Sequence, residues 1–101
     1  NAILGIRGTN VNSAIAGELG LDVTQGFYIG GTEAGSGAEK AGLKEGDIIQ
    51  MIDNVKIRKF ADLTGYVSSK RPGDIVAVKL LRNGKERNIN VTLTKYELVE
   101  H

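Results

Sequence analysis

The chain has 101 residues, no cysteine and a formal net charge of +1 at pH 7. This length suits one domain, which buries roughly 60 to 70% of its unfolded surface, so a single core needs no disulfides. The thirteen basic and twelve acidic residues form no block of one sign. Because phosphates are bound by concentrated basic faces, nucleic acid is not expected as a partner. No apolar run reaches the roughly 18 to 20 residues that span a bilayer, so membrane insertion is not expected either.

A short strand and a short helix are predicted at the start of the chain. Residues 6–9 are predicted to form the strand. The helix is predicted over residues 14–19, because Asn12 or Ser13 suits its N-cap and Gly20 suits the left-handed residue that ends many helices.

A second strand and one further helical turn follow. Residues 26–30 have the aromatic and β-branched content of a strand. Ser36 or Gly37 can cap a single turn of helix over residues 38–41, which Gly42 ends. A capping role is the favoured interpretation of Ser36.

The second half of the chain begins with a buried strand and continues with an amphipathic helix. Residues 48–53 are apolar enough to be buried on both faces, so they predict a central strand, followed by a tight reversal at residues 54–57. A helix is predicted over residues 60–70, where it stops before the Arg-Pro pair. Its apolar residues at spacings of three and four are Phe60, Leu63 and Val67.

A β-hairpin closes the predicted domain. Strands are predicted at residues 75–81 and 89–93, and the Asn-Gly pair between them is a strong signal for a tight hairpin turn. The order of elements describes a small α+β domain built on an antiparallel sheet. Residues 1–95 are assigned to this domain, and residues 96–101 to a tail that is a linker or a remnant of cloning. Because the chain begins in the middle of a pattern, it is expected to be a fragment of a longer protein.

The sequence offers no catalytic constellation. Its one histidine is the last residue, His101, so no base is expected near a nucleophile. Ser36 lacks the Gly-x-Ser-x-Gly spacing of a nucleophile elbow, and the carboxylates are scattered singly rather than clustered as metal ligands. The glycine-rich residues 30–36 lack the lysine of a phosphate-binding loop. The chain is therefore expected to be non-catalytic, with no metal and no cofactor.

The opening turn is the best candidate for a binding site. Residues 3–6 are apolar around Gly5, and such a turn can aim several backbone N–H groups at one point, where they bind an anion such as a carboxylate. The strand that follows can lie at an open sheet edge, so a partner can add a strand there, with the helix at residues 60–70 as the opposite wall. The candidate peptide-binding residues are Ile3, Leu4, Gly5, Ile6, Arg7, Gly8, Phe60, Leu63, Thr64 and Val67.

Plainer interpretations of the same residues stay open. The opening turn can be an ordinary loop that leads into an edge strand. The spacing of Phe60, Leu63 and Val67 also suits simple core packing. Thr64 is a polar residue within this apolar stripe, which favours a position in the lining of a groove.

Four motifs together resemble one family. They are Leu4-Gly5-Ile6 in the opening turn, Gly26-Phe27-Tyr28-Ile29 in the next strand, the run Ala-x-Lys-Ala-Gly-Leu-x-x-Gly-Asp-x-Ile at residues 38–49, and Leu81-Arg82-Asn83-Gly84-Lys85 at the hairpin. Over residues 3–94 the chain resembles the first PDZ domain of the HtrA/Deg family of bacterial periplasmic serine proteases.

The resemblance implies the PDZ fold of the circularly permuted bacterial type, an antiparallel β-sandwich or partial barrel with one main peptide-binding helix and short helices. Its permuted strand order implies that the last strand ends close to Ile3. It also implies β-augmentation, in which an extended C-terminal peptide adds beside residues 6–9 and the opening turn holds its carboxylate. The residues implied for the pocket of the last side chain are Leu4, Ile6, Leu63 and Val67.

The resemblance further implies a setting in the periplasm or cell envelope, within a parent serine endopeptidase whose protease domain lies outside this chain. In the leading interpretation, the domain captures C-termini or unfolded segments of substrates for that protease domain. In the alternative, it is a regulatory and structural element between protease domains and subunits, with the groove empty or filled by another part of the protein. A PDZ domain of another envelope protease or secretion protein is a third interpretation.

Overall fold

The computed structural model describes residues 2–95, so the expected tail at 96–101 lies outside the described residues. Eight strands and three helices follow one another between residues 2 and 95. The strands are β1 (Ala2–Ile3), β2 (Ile6–Asn10), β3 (Phe27–Thr32), β4 (Ile48–Ile52), β5 (Val55–Lys56), β6 (Ile75–Arg82), β7 (Lys85–Thr92) and β8 (Thr94–Lys95). The helices are α1 (Ser13–Leu19), α2 (Gly37–Ala41) and α3 (Phe60–Ser68).

The strands form two antiparallel sheets, which confirms the predicted α+β class. The larger sheet has the order β2-β3-β4-β6-β7, with β5 paired to β4, so β2 lies at one of its edges. The smaller sheet pairs β1 with β8, with Ala2 opposite Lys95 and Ile3 opposite Thr94. This pairing confirms that the last strand ends close to Ile3.

The short helices begin and end as their capping residues predict. Asn12 Oδ1 accepts the amide of Ile15 at 2.9 Å, and Ser36 Oγ accepts the amide of Glu39 at 3.2 Å. The residues after the two helices, Gly20 and Gly42, are left-handed, with φ of 68° and 86°. At the hairpin, Asn83 and Gly84 both take positive φ, as a tight Asn-Gly turn requires.

The helix predicted over residues 60–70 ends two residues earlier, at Ser68. The hydroxyl of Ser68 donates to the carbonyl of Gly65 at 3.1 Å, and that of Ser69 donates to the carbonyl of Tyr66 at 2.6 Å. Side-chain bonds of this kind compete with the backbone ladder, so the helix stops where the two serines occur.

The reversal predicted at residues 54–57 lies earlier in the chain. Asp53, predicted as the last residue of the strand, takes a positive φ of 54° and starts the turn instead. Val55 and Lys56 then fold back as β5 opposite Ile52 and Met51. The turn therefore has its own short strand, which the sequence pattern did not indicate.

Residues 48–53 are predicted to be buried on both faces, and this is confirmed at Ile48 and Ile49, whereas Gln50 and Met51 are half-buried. Ile48 and Ile49 point to opposite faces and are 6% and 0% exposed. Between residues 2 and 95, no buried side-chain polar atom lacks a hydrogen-bond partner, and no helix is long and apolar enough to cross a membrane. The buried residues of the main core are Ala2, Leu4, Phe27, Ile29, Ala38, Leu43, Ile49, Ile52, Ile57, Leu63, Val67, Val76, Val78, Leu80, Val91 and Leu93. Those of the smaller cluster beside α1 are Val11, Ala16 and Ile48.

A buried ion pair connects the turn before β4 to the end of β6. Asp47 is 1% exposed, and its Oδ2 accepts the amide of Lys44 at 2.9 Å. Arg82 donates from Nε to Asp47 Oδ1 at 2.9 Å and from Nη2 to Oδ2 at 2.7 Å. These hydrogen bonds raise the pKa of Arg82 above its usual value. Nη2 also donates to the carbonyl of Gly42 at 3.0 Å, so one arginine fixes the end of α2 and the following turn.

Arg82→Ala is expected to lower the free energy of unfolding by about 3 to 5 kcal/mol, because the Asp47 carboxylate would stay buried without its cation. Chemical denaturation followed by circular dichroism measures this loss. Lys79→Ala is the matched control, since Lys79 meets Glu86 at 3.9 Å on an exposed face. Exposed pairs contribute about 0 to 1 kcal/mol, so equal losses in both variants would contradict the role of Arg82.

Candidate functional site

A cavity of about 450 Å³ lies between β2 and α3. Arg7 and Gly8 line an adjoining depression along β2 that also reaches Phe60. The two depressions share Ile6 and Phe60, and together their linings contain all ten predicted site residues. The predicted residues that line the main cavity are Ile3, Leu4, Gly5, Ile6, Phe60, Leu63, Thr64 and Val67, and the cavity also contains Ala2, Glu33 and Ser68, which the sequence analysis did not include.

Two carbonyl groups of the turn between β1 and β2 accept hydrogen bonds from other parts of the domain. Ala38 N–H donates to the carbonyl of Leu4 at 3.0 Å, and Glu33 N–H donates to that of Gly5 at 2.8 Å. In a trans peptide, the N–H points opposite to the carbonyl of the preceding residue. The amide of Gly5 therefore points away from Ala38 at the start of α2, and the amide of Ile6 points away from Glu33 after β3. Both residues line the cavity.

These amides are available for a ligand. Within residues 2–95, the N–H groups of Leu4 and Gly5 donate to no acceptor. Ile6 lies opposite Thr32, one position beyond the hydrogen-bonded pair of Gly5 and Glu33. Since bonded and non-bonded pairs alternate in an antiparallel ladder, the N–H and C=O of Ile6 face away from β3.

Gly5 is required in this turn for two reasons. Its φ is +91°, a conformation that side chains resist. A Cβ at this position would also lie 2.1 Å from Cβ of Ser36, and Ser36 itself is buried with its Oγ 3.4 Å from the Gly5 carbonyl. Close packing against Ser36 therefore fixes the conformation of the opening turn.

Among the strands of residues 2–95, none pairs with β2 on its groove side, so β2 forms an open edge of the described sheet. Gly8 lies opposite Ile29, whose N–H donates to the carbonyl of Asp47 and whose carbonyl accepts from Gly46. Because Ile29 is engaged on its β4 side, the backbone groups of Gly8, like those of Ile6, face the open edge. The register shifts between Arg7 and Gly8, and a Cβ at Gly8 would lie 1.8 Å from the carbonyl oxygen of Tyr28.

The first turn of α3 is fixed directly to β2. Asn10 Oδ1 accepts the amide of Phe60 at 2.6 Å, which supplies the cap that Lys59 does not provide. The Phe60 ring packs on Phe27 with centroids 4.7 Å apart and an interplanar angle of 34°. These contacts set the separation of the two walls at this end of the groove.

The residues of α3 divide between core and groove. Leu63 and Val67 are each 3% exposed, so they pack in the core and also border the cavity. These two side chains therefore contribute both to core packing and to the lining of the cavity. Thr64 is exposed within the lining, as predicted, and its hydroxyl donates to the carbonyl of Ala61 at 3.3 Å.

The second half of α3 is tied to the sheet through Asp53. Oδ1 of this carboxylate accepts the amide of Ala77 at 2.8 Å, and Oδ2 accepts the hydroxyl of Tyr66 in a short hydrogen bond. The bond from Ala77 and then that from Tyr66 hold the pKa of Asp53 below its usual value of 3.8. Lys70 lies over the Tyr66 ring, 5.0 Å from its centroid, and its contact with Tyr66 raises the pKa of Lys70.

An edge strand, a turn with outward amides and a facing helix are the features of the PDZ class of domains. A family model described as PDZ domain matches residues 2–93, so the chain belongs to the PDZ domain family. PDZ domains are peptide-binding, non-catalytic modules. The resemblance to the HtrA/Deg family is confirmed by the relatives that the chain matches.

Two curated relatives show this likeness. The chain is 41% identical over 91 residues to the periplasmic pH-dependent serine endoprotease DegQ of Escherichia coli strain K12, covering 90% of this chain and 20% of the relative. It is 37% identical over 90 residues to the periplasmic serine endoprotease DegP of the same strain, covering 89% and 19%. The chain thus spans about a fifth of the length of these relatives.

Two solved structures share the fold. The HtrA-type protease AlgW with a decapeptide superposes with a TM-score of 0.88 at 26% identity, covering 97% of this chain and 30% of that one. The HtrA3 PDZ domain bound to a phage-derived ligand superposes with a TM-score of 0.79 at 18% identity, covering 92% and 85%. The second likeness is one of fold alone.

Gly8→Ala is expected to displace β2 from β3 and to lower the free energy of unfolding by roughly 1 to 3 kcal/mol, because the methyl group would meet the Tyr28 carbonyl. Chemical denaturation and amide exchange along β2 measure both effects. In Gly17→Ala, the matched control, the added Cβ meets nothing within 4 Å. Since glycine inside a helix costs roughly 0.5 to 1 kcal/mol, this control should gain stability, and a loss of similar size in both variants would contradict the close approach.

Stability should fall in acid partly through Asp53. Because its pKa is lower in the folded chain than the usual 3.8, the carboxylate stabilises the fold above that value and loses this contribution as the pH drops through the folded pKa. Asp53→Asn, which tolerates the positive φ, should flatten the fall in stability from about pH 5 downward. Tyr66→Phe removes one donor and should flatten it partly. Denaturation midpoints across this range test the effect, and identical slopes in all three proteins would contradict it.

Proposed function

We propose that this domain binds the C-terminus of a polypeptide as an added strand beside β2. The observation that carries the proposal is the set of amides at Leu4, Gly5 and Ile6 that have no acceptor within residues 2–95, with those of Gly5 and Ile6 directed outward where an apolar cavity meets an open sheet edge. Clustered main-chain N–H groups form an anion site, and a C-terminal carboxylate is the anion that an extended peptide brings to the end of a strand.

The carboxylate would be held by amides rather than by a cation. Glu33 is the charged side chain that borders the main cavity in the described part of the chain, and it pairs with Arg7. Hydrogen bonds to a charged group contribute about 1.5 to 3 kcal/mol each, so two or three amides suffice to favour a free carboxylate.

The last side chain of the peptide would enter the apolar end of the groove. Burial of one large apolar side chain contributes about 1.5 to 3 kcal/mol. Ordering of a flexible peptide cancels much of this gain, so micromolar or weaker affinity is expected. The residues proposed to surround the last side chain are Ala2, Leu4, Ile6, Leu63 and Val67.

The rest of the peptide would pair with β2 in antiparallel orientation. Ile6 and Gly8 each present an N–H and a C=O to the open edge, two residues apart, which is the repeat that an added strand needs. Phe60, held on Phe27, would offer an aromatic face to an earlier residue of the ligand.

The proposal extends to the parent protein. Within the parent protein, this domain would deliver C-termini or unfolded segments to a serine protease domain in the periplasm or cell envelope. The names of the two relatives, both periplasmic serine endoproteases, support this setting.

Peptides with a free C-terminus and an apolar last residue are expected to bind at least tenfold more tightly than the same peptides as C-terminal amides, because the amide form loses the charge that the turn would stabilise. Isothermal titration calorimetry of the 101-residue chain with both forms measures the ratio. Equal affinity for the two forms would rule out carboxylate capture.

Thr64→Glu is expected to weaken binding of the free-acid peptide about tenfold, because the new side chain adds bulk and negative charge to the groove wall. Ala61→Glu adds the same group to an exposed position of the same helix that does not line the cavity. The same titration applied to both variants should show a large loss in the first and a small change in the second. Equal effects would place the peptide outside this groove.

A further inference from the structure

The last turn of α3 lies beside the turn between β1 and β2. Asn10 holds the first amide of the helix at the end of β2, and a helix of nine residues extends roughly 13.5 Å from there. Its other end reaches the start of β2, where the helix packs against β1 and where Val67 and Ser68 line the cavity. The position of this last turn therefore sets the width of the cavity beside the opening turn.

One hydrogen bond among residues 2–95 joins the second half of α3 to another element. The hydroxyl of Tyr66 donates to Oδ2 of Asp53, whereas the other side-chain hydrogen bonds of residues 64–69 stay within the helix and its final turn. The ring of Tyr66 is half-buried against the main core, so the bond is partly shielded from water. Because apolar contacts such as those of Val67 are non-directional, this bond fixes where the last turn lies.

Asp53 is a rigid anchor for this bond. It takes a φ of 54° at the start of the turn between β4 and β5. Its N–H donates to the carbonyl of Ala77 at 2.7 Å, and its Oδ1 accepts the amide of Ala77 at 2.8 Å. These two bonds to one residue of β6 leave the carboxylate little freedom. The ring of Tyr66, and with it the last turn of the helix, is therefore positioned relative to β6.

Resting on the proposed function, we infer that the bond between Tyr66 and Asp53 limits the size of the last side chain that the groove accepts. Neighbouring helix residues move together, because backbone hydrogen bonds hold them at a rise of 1.5 Å. Loss of the Tyr66 bond therefore frees Val67 to move outward from Leu4, while the bond at Asn10 still holds the first turn. Tyr66 and Asp53 lie outside the cavity lining, so they act as positioning residues.

The test uses two free-acid peptides that differ only in the last residue, which is Val or Phe. In Tyr66→Phe, the affinity for the Phe peptide relative to the Val peptide should rise about fourfold over wild type, which is the effect of one methylene group gained or lost from apolar contact. Each ratio compares two ligands on one variant, so a smaller folded fraction cancels from it. Isothermal titration calorimetry measures both affinities. Amide exchange should become faster in the last turn of α3 and stay unchanged in the first.

Tyr28→Phe is the matched control, because it removes the same hydroxyl from a half-buried ring that lines a separate depression beside α1. It should keep the wild-type ratio. Asp53→Asn keeps an acceptor for Tyr66 without the charge, so it should give a smaller rise. The double variant with Tyr66→Phe should show no more than the rise of Tyr66→Phe alone, since the two residues act through one bond.

An unchanged ratio in Tyr66→Phe, an equal rise in Tyr28→Phe, or additive effects in the double variant would overturn the role of this bond. The free-acid and amide forms of the Val peptide separate the two proposals. If wild type prefers the free acid while the ratio in Tyr66→Phe does not move, carboxylate capture stands and only the role of Tyr66 fails. If wild type binds both forms equally, both proposals fail.

Discussion

The conformation of the turn between β1 and β2 depends on two hydrogen bonds that are accepted by its peptide carbonyls. Ala38 of α2 and Glu33, which follows β3, donate to the carbonyls of Leu4 and Gly5, and the planarity of each peptide bond directs the next amide to the opposite side. The direction of these amides is thus a consequence of the contacts made by the segment that runs from the end of β3 to the start of α2. Glycine at position 5 makes the arrangement sterically feasible, because any Cβ there would overlap Ser36.

The second wall of the groove is positioned by polar contacts at both ends of α3. Asn10 binds the first amide of the helix, and Asp53 binds Tyr66 in its last turns. Asn10 belongs to β2, so it connects the two walls directly. Asp53 also accepts a hydrogen bond from Ala77 of β6, so this carboxylate fixes the position of the helix relative to β6. Apolar packing of Leu63 and Val67 supplies the burial, whereas these directional bonds fix where the helix lies.

Local signals in the sequence predicted most elements and the general position of the groove. The Asn-Gly turn, the caps of α1 and α2 and the spacing of Phe60, Leu63 and Val67 depend on neighbouring residues, so they are readable along the chain. Asn10 and Phe60 are fifty positions apart, and no spacing rule connects such a pair. Glu33 likewise enters the cavity only because the ladder places it opposite Gly5. The sequence could not indicate contacts that arise when distant segments are brought together by the fold.

The pairing of β1 with β8 places the two ends of the described chain side by side, so its elements follow one another as in a ring. Ala2 faces Lys95 across one strand spacing, so a short connection could join these two positions while the ring was opened at the exposed Asn83-Gly84 turn. The groove would keep all of its contacts, because neither β2 nor α3 spans that turn. Circular permutation therefore changes only the point at which this ring is cut. The groove requires the spatial order of the strands in the sheet and does not depend on their order along the chain.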